Sequence, residues 1–238
     1  NGHGNYIRVV AGSSNTSAVG MQGGRQDVTI VSWNSSMVIC HELLHALGFW
    51  HEQSRPDRNN YVKVNTSNIC PGQSHNFDIA NTGVTSNIPY DFSSIMHYGS
   101  FAFSICSDPG LDCNTGCGGG LFFAGPTLEV LPQHQNAQNQ IGNRSYISRS
   151  DSLMLRFVYP FQNDRFVNNQ SPFVIPPPFI GGSTIYWALA SFTTNSIMST
   201  LVPTGSTVWI MPGTFENTEG TYTKPMTLTA PFGGVVLR

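Results

Sequence analysis

β-forming residues, mostly apolar, fill positions 6–10 and again 27–32, which predicts two β-strands. Between them, residues 12–15 read as a turn, 18–21 as a short strand, and Gly23-Gly24 as a tight reversal. Asn34 or Ser35 can then cap a helix running to about Gly48. Met37, Val38, Leu44 and Leu47 recur along it at helical spacing and are expected to face the core. Residues 56–60 are polar and turn-rich, 61–69 read as a short extended segment, and 70–90 as loop with one helical turn near 73–78. Residues 126–131 read as a strand or extended piece. A capping box, with Ser148 at the cap and Asp151 in place of the usual Glu or Gln, opens a second helix. Its apolar face is Leu153, Met154, Phe157 and Val158, and Pro160 stops it.

The text changes beyond this helix. Residues 163–180 contain Pro172, Pro176, Pro177 and Pro178 and read as a semi-rigid linker. Residues 181–238 hold a short helical stretch at 184–192, then β runs at 206–211, 227–229 and 234–237 separated by Gly and Pro. Coils of a β-helix and small β modules both look like this. The expected organisation is an α+β domain over 1–162, a linker over 163–180 and a small β-rich module over 181–238.

Composition narrows the function classes. Only 10% of the 238 residues are charged and the net charge is −2, which argues against nucleic acid or an anionic membrane surface as partner. Lysine occurs only at 63 and 224, and Asn, Ser, Thr and Gly supply most of the polarity, a style common in secreted proteins. No run of about 20 apolar residues is present to span a bilayer. Five cysteines leave at least one unpaired within the chain. Cys106, Cys113 and Cys117 crowd a Gly-rich loop, where two are expected to form a local disulfide, with a second zinc site as the alternative. Cys40 is expected to be a small buried apolar residue.

The chemistry concentrates in residues 41–58. His41-Glu42-Leu43-Leu44-His45 places two imidazoles four residues apart on one helical face, within reach of one metal ion. Glu42 lies beside them, able to take a proton from a metal-bound water. Gly48 permits the turn that returns His51 to the same metal. Three neutral nitrogens and one open position describe a catalytic zinc site. His3, His75 and His134 have no such spacing.

With this stretch and Ser94-Ile95-Met96-His97-Tyr98 together, the chain resembles the astacin family of zinc metallopeptidases, a branch of the metzincins. Gln22-Gly23-Gly24, Pro71-Gly72 with Asn76-Phe77, and Ile141-Gly142-Asn143-Arg144 with Ser148 and Asp151 match as well, so the likeness covers about residues 5 to 160. The resemblance implies a metzincin-like fold, zinc held by His41, His45 and His51, and Glu42 as general base and then proton donor to the leaving amine. It implies that Tyr98 is a fifth, loosely held ligand that swings to the oxyanion, that Met96 lies beneath the metal, and that Glu52 sits behind the site and meets a freed N-terminus. His97 is expected to be structural. Ala18, Val19, Gly20 and Met21 would form the cleft edge that pairs with an extended peptide.

The expected function is therefore a secreted zinc endopeptidase acting on protein or peptide substrates, with no assignment of oligomeric state. The alternative is an inactive or truncated metzincin scaffold whose tail binds a surface or polysaccharide. Retention of Glu42 argues against it, and the open fourth position argues against a purely structural zinc domain. The strands and helix that open the family's domain, and the cysteines flanking its Gly-Gly strand, are missing here. The chain is thus expected to be N-terminally truncated and, with few cysteines and a β-rich tail, to resemble bacterial secreted members more than animal ones.

Overall fold

The computed structural model describes residues 4–80, 88–105, 125–159, 164–167, 207–210, 213–215, 227–229 and 235–237. The chain forms two compact units, Asn1–Thr85 with Tyr90–Asp151, and Ser86–Pro89 with Ser152–Arg238.

In the first unit, β1 (Tyr6–Ala11) pairs in parallel with β2 (Arg25–Ile30), in register from Tyr6↔Arg25 to Ala11↔Ile30. The period of two puts Gln26, Val28 and Ile30 of β2 on the buried face. Val28 and Ile30 are fully covered and pack with Ala46 and Ile39 of α1 (Ser36–Ala46). Burial of each of these two β2 side chains contributes about 1.5–3 kcal/mol, which fixes the helix against the strand.

Two expectations change. The four residues 18–21 form no strand: Gly20 adopts a positive φ of 73°, and the Gln22 side-chain amide donates to the carbonyls of Val19 (2.9 Å) and Gly20 (3.1 Å). A side chain thus takes carbonyls that a ladder would otherwise use. The bridge to β2 forms earlier, between Thr16 and Thr29. On α1, only Leu44 of the four expected core residues is buried, while Met37, Val38 and Leu47 are half-covered. His41, Glu42 and His45 are buried instead. Hydrophobic periodicity misses this because the most enclosed face of the helix carries the polar motif. Cys40 is likewise half-buried, with a free thiol.

A second core lies below. β3 (Val62–Val64) and β4 (Leu128–Val130) pair antiparallel and join Ile69, Phe77, Tyr90, Ala137 and Ile141 in one apolar cluster. Tyr61 stacks on Tyr90 at 4.5 Å, and Phe92 meets Tyr90 edge-on at 5.0 Å. The turn expected near 73–78 is a 3-10 helix, Ser74–Phe77. Helix α2 (Arg149–Val158) opens with the expected capping box: Ser148 Oγ accepts from Asp151 N (2.9 Å) and Asp151 Oδ2 accepts from Ser148 N (3.3 Å). Of its expected apolar face, Leu153 is buried and Met154 and Val158 are half-buried.

Gly142 is fixed by its surroundings. Its φ is +81°, and a Cβ there would lie 2.6 Å from the Gly99 Cα, so only glycine lets this segment pass under the 94–99 loop.

In the second unit, β5 (Asp164–Val167), β6 (Thr207–Ile210) and β8 (Thr227–Thr229) form a parallel sheet, and β7 (Gly213–Phe215) pairs in parallel with β9 (Val235–Leu237). Strand β5 falls within the stretch read as linker. The proline-rich part of that stretch, the helical reading at 184–192 and the cysteine trio lie outside the described residues.

Candidate metal centre

Helix α1 ends where the motif needs it to. Gly48 takes a φ of +99°, Gly48 N and Gly20 N both donate to His45 O (each 2.8 Å), and Phe49 N donates to Leu44 O (3.0 Å). The chain reverses there and brings His51 back against the helix. The rings of His41 and His45 lie 4.7 Å apart, and that of His51 is 5.3 Å and 4.5 Å from them.

The tautomers follow from the other ring nitrogens. His41 Nδ1 donates to Ile95 O and His45 Nδ1 donates to Phe49 O, both at 2.8 Å. Each Nε2 is therefore left with a lone pair. His51 Nε2 stands 3.1 Å from His45 Nε2 and 3.3 Å from His41 Nε2. Converging lone pairs repel unless a cation lies between them. Protons do not fill that role readily: burial pushes the pKa of His41 down to about 4 and that of His51 to about 2, and lowers that of His45. Tetrahedral zinc with Zn–N bonds of about 2.0–2.1 Å needs nitrogens about 3.3 Å apart, which these separations match. The donor set is that of a three-histidine zinc centre.

Glu42, also buried, has its pKa raised by burial to about 6, against a smaller lowering by the Arg144 charge. Tyr98 packs its ring on His51 (4.3 Å), with Phe103 and Phe77 at 5.6 and 5.9 Å, and burial lifts its phenol to about 12, so the hydroxyl keeps its proton. Met96 is buried in the 94–98 loop, its N–H on Ser94 Oγ (3.0 Å) and its carbonyl on Glu52 N (3.2 Å).

Glu52 holds the loop from the other side. Oε1 accepts from Arg55 Nη1 and from Asp91 N, both at 2.9 Å. Burial raises its pKa to about 7, which Arg55 and the Asp91 N–H oppose. The N-terminal partner expected for it lies outside the described residues. His97 is fully buried, donating from Nδ1 to Tyr98 O (2.6 Å) and accepting the Tyr90 hydroxyl at Nε2 (2.8 Å), which suits a structural histidine. Of residues 18–21, Gly20 is tied to His45 O, while Ala18 and Met21 are exposed.

Sequence reasoning misses the supports of this loop. Gln53 Oε1 accepts Tyr98 N (3.0 Å). Asp151, buried, accepts Ser94 Oγ at Oδ1 (2.6 Å) and Ile95 N at Oδ2 (2.8 Å). Arg144 donates to Ile95 O (2.8 Å) and His97 O (3.1 Å). The sequence marks Asp151 only as part of a capping box and Arg144 only as part of the family match near 141–151, and neither signal points to the 94–98 loop.

The comparisons agree with this geometry. The family model described as "Astacin", a peptidase family, matches residues 1–112. High choriolytic enzyme 1 of Oryzias latipes is 48% identical over 156 residues, covering 65% of this chain and 50% of that protein. Meprin A subunit beta of Mus musculus is 47% identical over 106 residues, covering 43% of this chain and 15% of that protein. The chain thus spans half or less of the length of these curated relatives. The solved structure of the Oryzias latipes enzyme, a hatching enzyme zinc-protease, superposes with a TM-score of 0.54 at 36% identity, covering 67% of this chain and 70% of that one. With the metzincin-like fold and the three-histidine centre in place, these matches show that the chain belongs to the astacin family of peptidases.

Proposed function

We propose that this chain is a zinc-dependent endopeptidase that hydrolyses peptide bonds of protein substrates. The observation that carries the reading is the convergence of three neutral imidazole nitrogens beside a buried carboxylate that is not among them. A zinc ion, when bound, supplies Lewis-acid polarisation of a carbonyl and acidifies water toward a pKa of about 7.

The protein's own groups do the rest. His41, His45 and His51 hold the metal, with Tyr98 as a loosely held further ligand. Glu42 takes the proton of the attacking water and returns it to the leaving amine nitrogen. Tyr98, whose phenol pKa burial raises, donates a hydrogen bond to the oxyanion. Met96 supplies an apolar floor, Glu52 braces the loop from behind, and Gly48 sets the turn. Residues Ala18 to Met21 line the substrate edge. Because the Val19 and Gly20 carbonyls already accept from Gln22, a substrate must compete with or displace that side chain to pair there.

An extracellular location is part of the proposal: Cys70 is disulfide-bonded, which suits an oxidising compartment. Among the described residues no helix is long and apolar enough to cross a membrane. The relatives named above are animal proteins, so a bacterial origin rests only on cysteine content and the β-rich tail. Residues 1–162 are proposed to carry the activity.

The test is hydrolysis of a quenched peptide, abolished by a chelator and restored by zinc. Glu42 must be ionised to accept a proton, so activity is present at higher pH and lost as pH falls. The raised pKa sets that acid limb near pH 6, and a bound dication pulls it lower. A zinc-loaded chain that cuts no peptide at any pH refutes the proposal.

A further inference from the structure

We infer that Arg144 is a positioning residue for the metal ligand His41, acting through the Ile95 carbonyl that both side chains share. The inference rests on the zinc-centre reading, and its test separates the two.

One oxygen carries the argument. Ile95 O accepts from His41 Nδ1 and from Arg144 Nη1, each at 2.8 Å. The bond to His41 fixes that ring's orientation and tautomer, leaving Nε2 with its lone pair toward the metal. Second bonds of this kind from ligating histidines are typically worth 10–100-fold in metal affinity. Here the accepting carbonyl belongs to a loop without regular secondary structure, and Arg144 holds it.

The same nitrogen also donates to His97 O (3.1 Å) and Asn143 O (2.7 Å), so one Nη1 gathers three carbonyls. The neighbouring backbone is committed to this arrangement. Gly142 passes against Gly99 in a conformation that only glycine tolerates readily, and Asn143 Nδ2 donates to Ser93 O and Tyr146 O, both at 2.8 Å. Arg144 itself is half-buried against this loop. His45 provides an internal control: its Nδ1 bonds to Phe49 O, which Arg144 does not touch.

Because all three bonds come from one nitrogen, an ammonium can replace them where a neutral side chain cannot. The experiment measures zinc affinity by chelator competition for the full chain and for Arg144→Met and Arg144→Lys. In parallel, ring 15N–1H spectra read the tautomers of His41 and His45. The expected result is a zinc dissociation constant raised 10–100-fold in Arg144→Met, with most of the loss recovered in Arg144→Lys. The Nδ1–H signal of His41 should broaden or shift in Arg144→Met while that of His45 stays in place. Equal zinc affinity in a folded Arg144→Met, or equal disturbance of both histidines, overturns the inference. If Arg144→Met does not fold, the wild-type chain decides: a nuclear Overhauser contact between the guanidinium protons and His41 Hδ1 supports it, and absence of that contact overturns it. A wild-type chain that binds no zinc defeats the metal-centre reading, while the same contact in the metal-free protein still tests the link from Arg144 to His41.

Discussion

Glu42→Gln is expected to lower kcat/KM for peptide hydrolysis by about 10²–10⁴-fold or more while leaving zinc bound. The substitution is nearly isosteric, so the packing around this buried position is kept. It removes the only property the mechanism needs there, a carboxylate that can accept a proton. Glu42 is not one of the three converging ligands, so zinc affinity should change by no more than a few-fold. Thermal stability should hold or rise slightly, since burial already disfavours the charged form. The measurement is steady-state hydrolysis alongside zinc content. Activity within tenfold of wild type would remove Glu42 from the role of base.

Asp151→Ala is expected to cost about 3–5 kcal/mol of stability, the usual loss when one partner of a buried charged network is removed. Burial raises the Asp151 pKa, so its bonds do not fully offset the lost hydration of the carboxylate. The expected loss comes instead from what truncation strands. Ser94 Oγ, Ile95 N and Ser148 N all point at Asp151, and each unmet buried donor costs about 1–3 kcal/mol. Asp151→Asn keeps one acceptor oxygen and should lose roughly half as much. Urea unfolding should show a lower midpoint at an unchanged m-value. A loss below about 1 kcal/mol would mean that the 94–98 loop stands without this support.

These two residues differ in how readily the sequence reveals them. Glu42 and the three histidines lie within eleven consecutive positions, and local helical geometry with one glycine turn converts that spacing into a site. Asp151 and Arg144 reach the 94–98 loop across 47 to 57 positions, for example from Asp151 to Ser94 and Ile95. Nothing local encodes such a bond, because the intervening loops set the register. The capping box at Ser148 is visible, yet its aspartate has a second task that capping does not announce: the same carboxylate holds Ile95. The hydrophobic pattern fails where function overrides burial, placing Met37 and Val38 in the core when the helix buries His41, Glu42 and His45. Residues 18–21 mislead for another reason. Their apolar composition suits a strand, but the left-handed Gly20 and the Gln22 side chain satisfy the backbone locally.

The Gly48 turn brings His51 back to His41 and His45, whose rings are held from outside by the carbonyls of Ile95 and Phe49, and the three neutral imidazoles are expected to form one zinc site. Equilibrium dialysis against buffered zinc, followed by metal analysis of the full chain and of His51→Ala, tests it directly. The expected result is about one zinc per wild-type chain and a large loss of affinity in the variant, since two nitrogens cannot complete the set. A wild-type chain that retains no zinc, or a His51→Ala chain that binds it equally well, would contradict it.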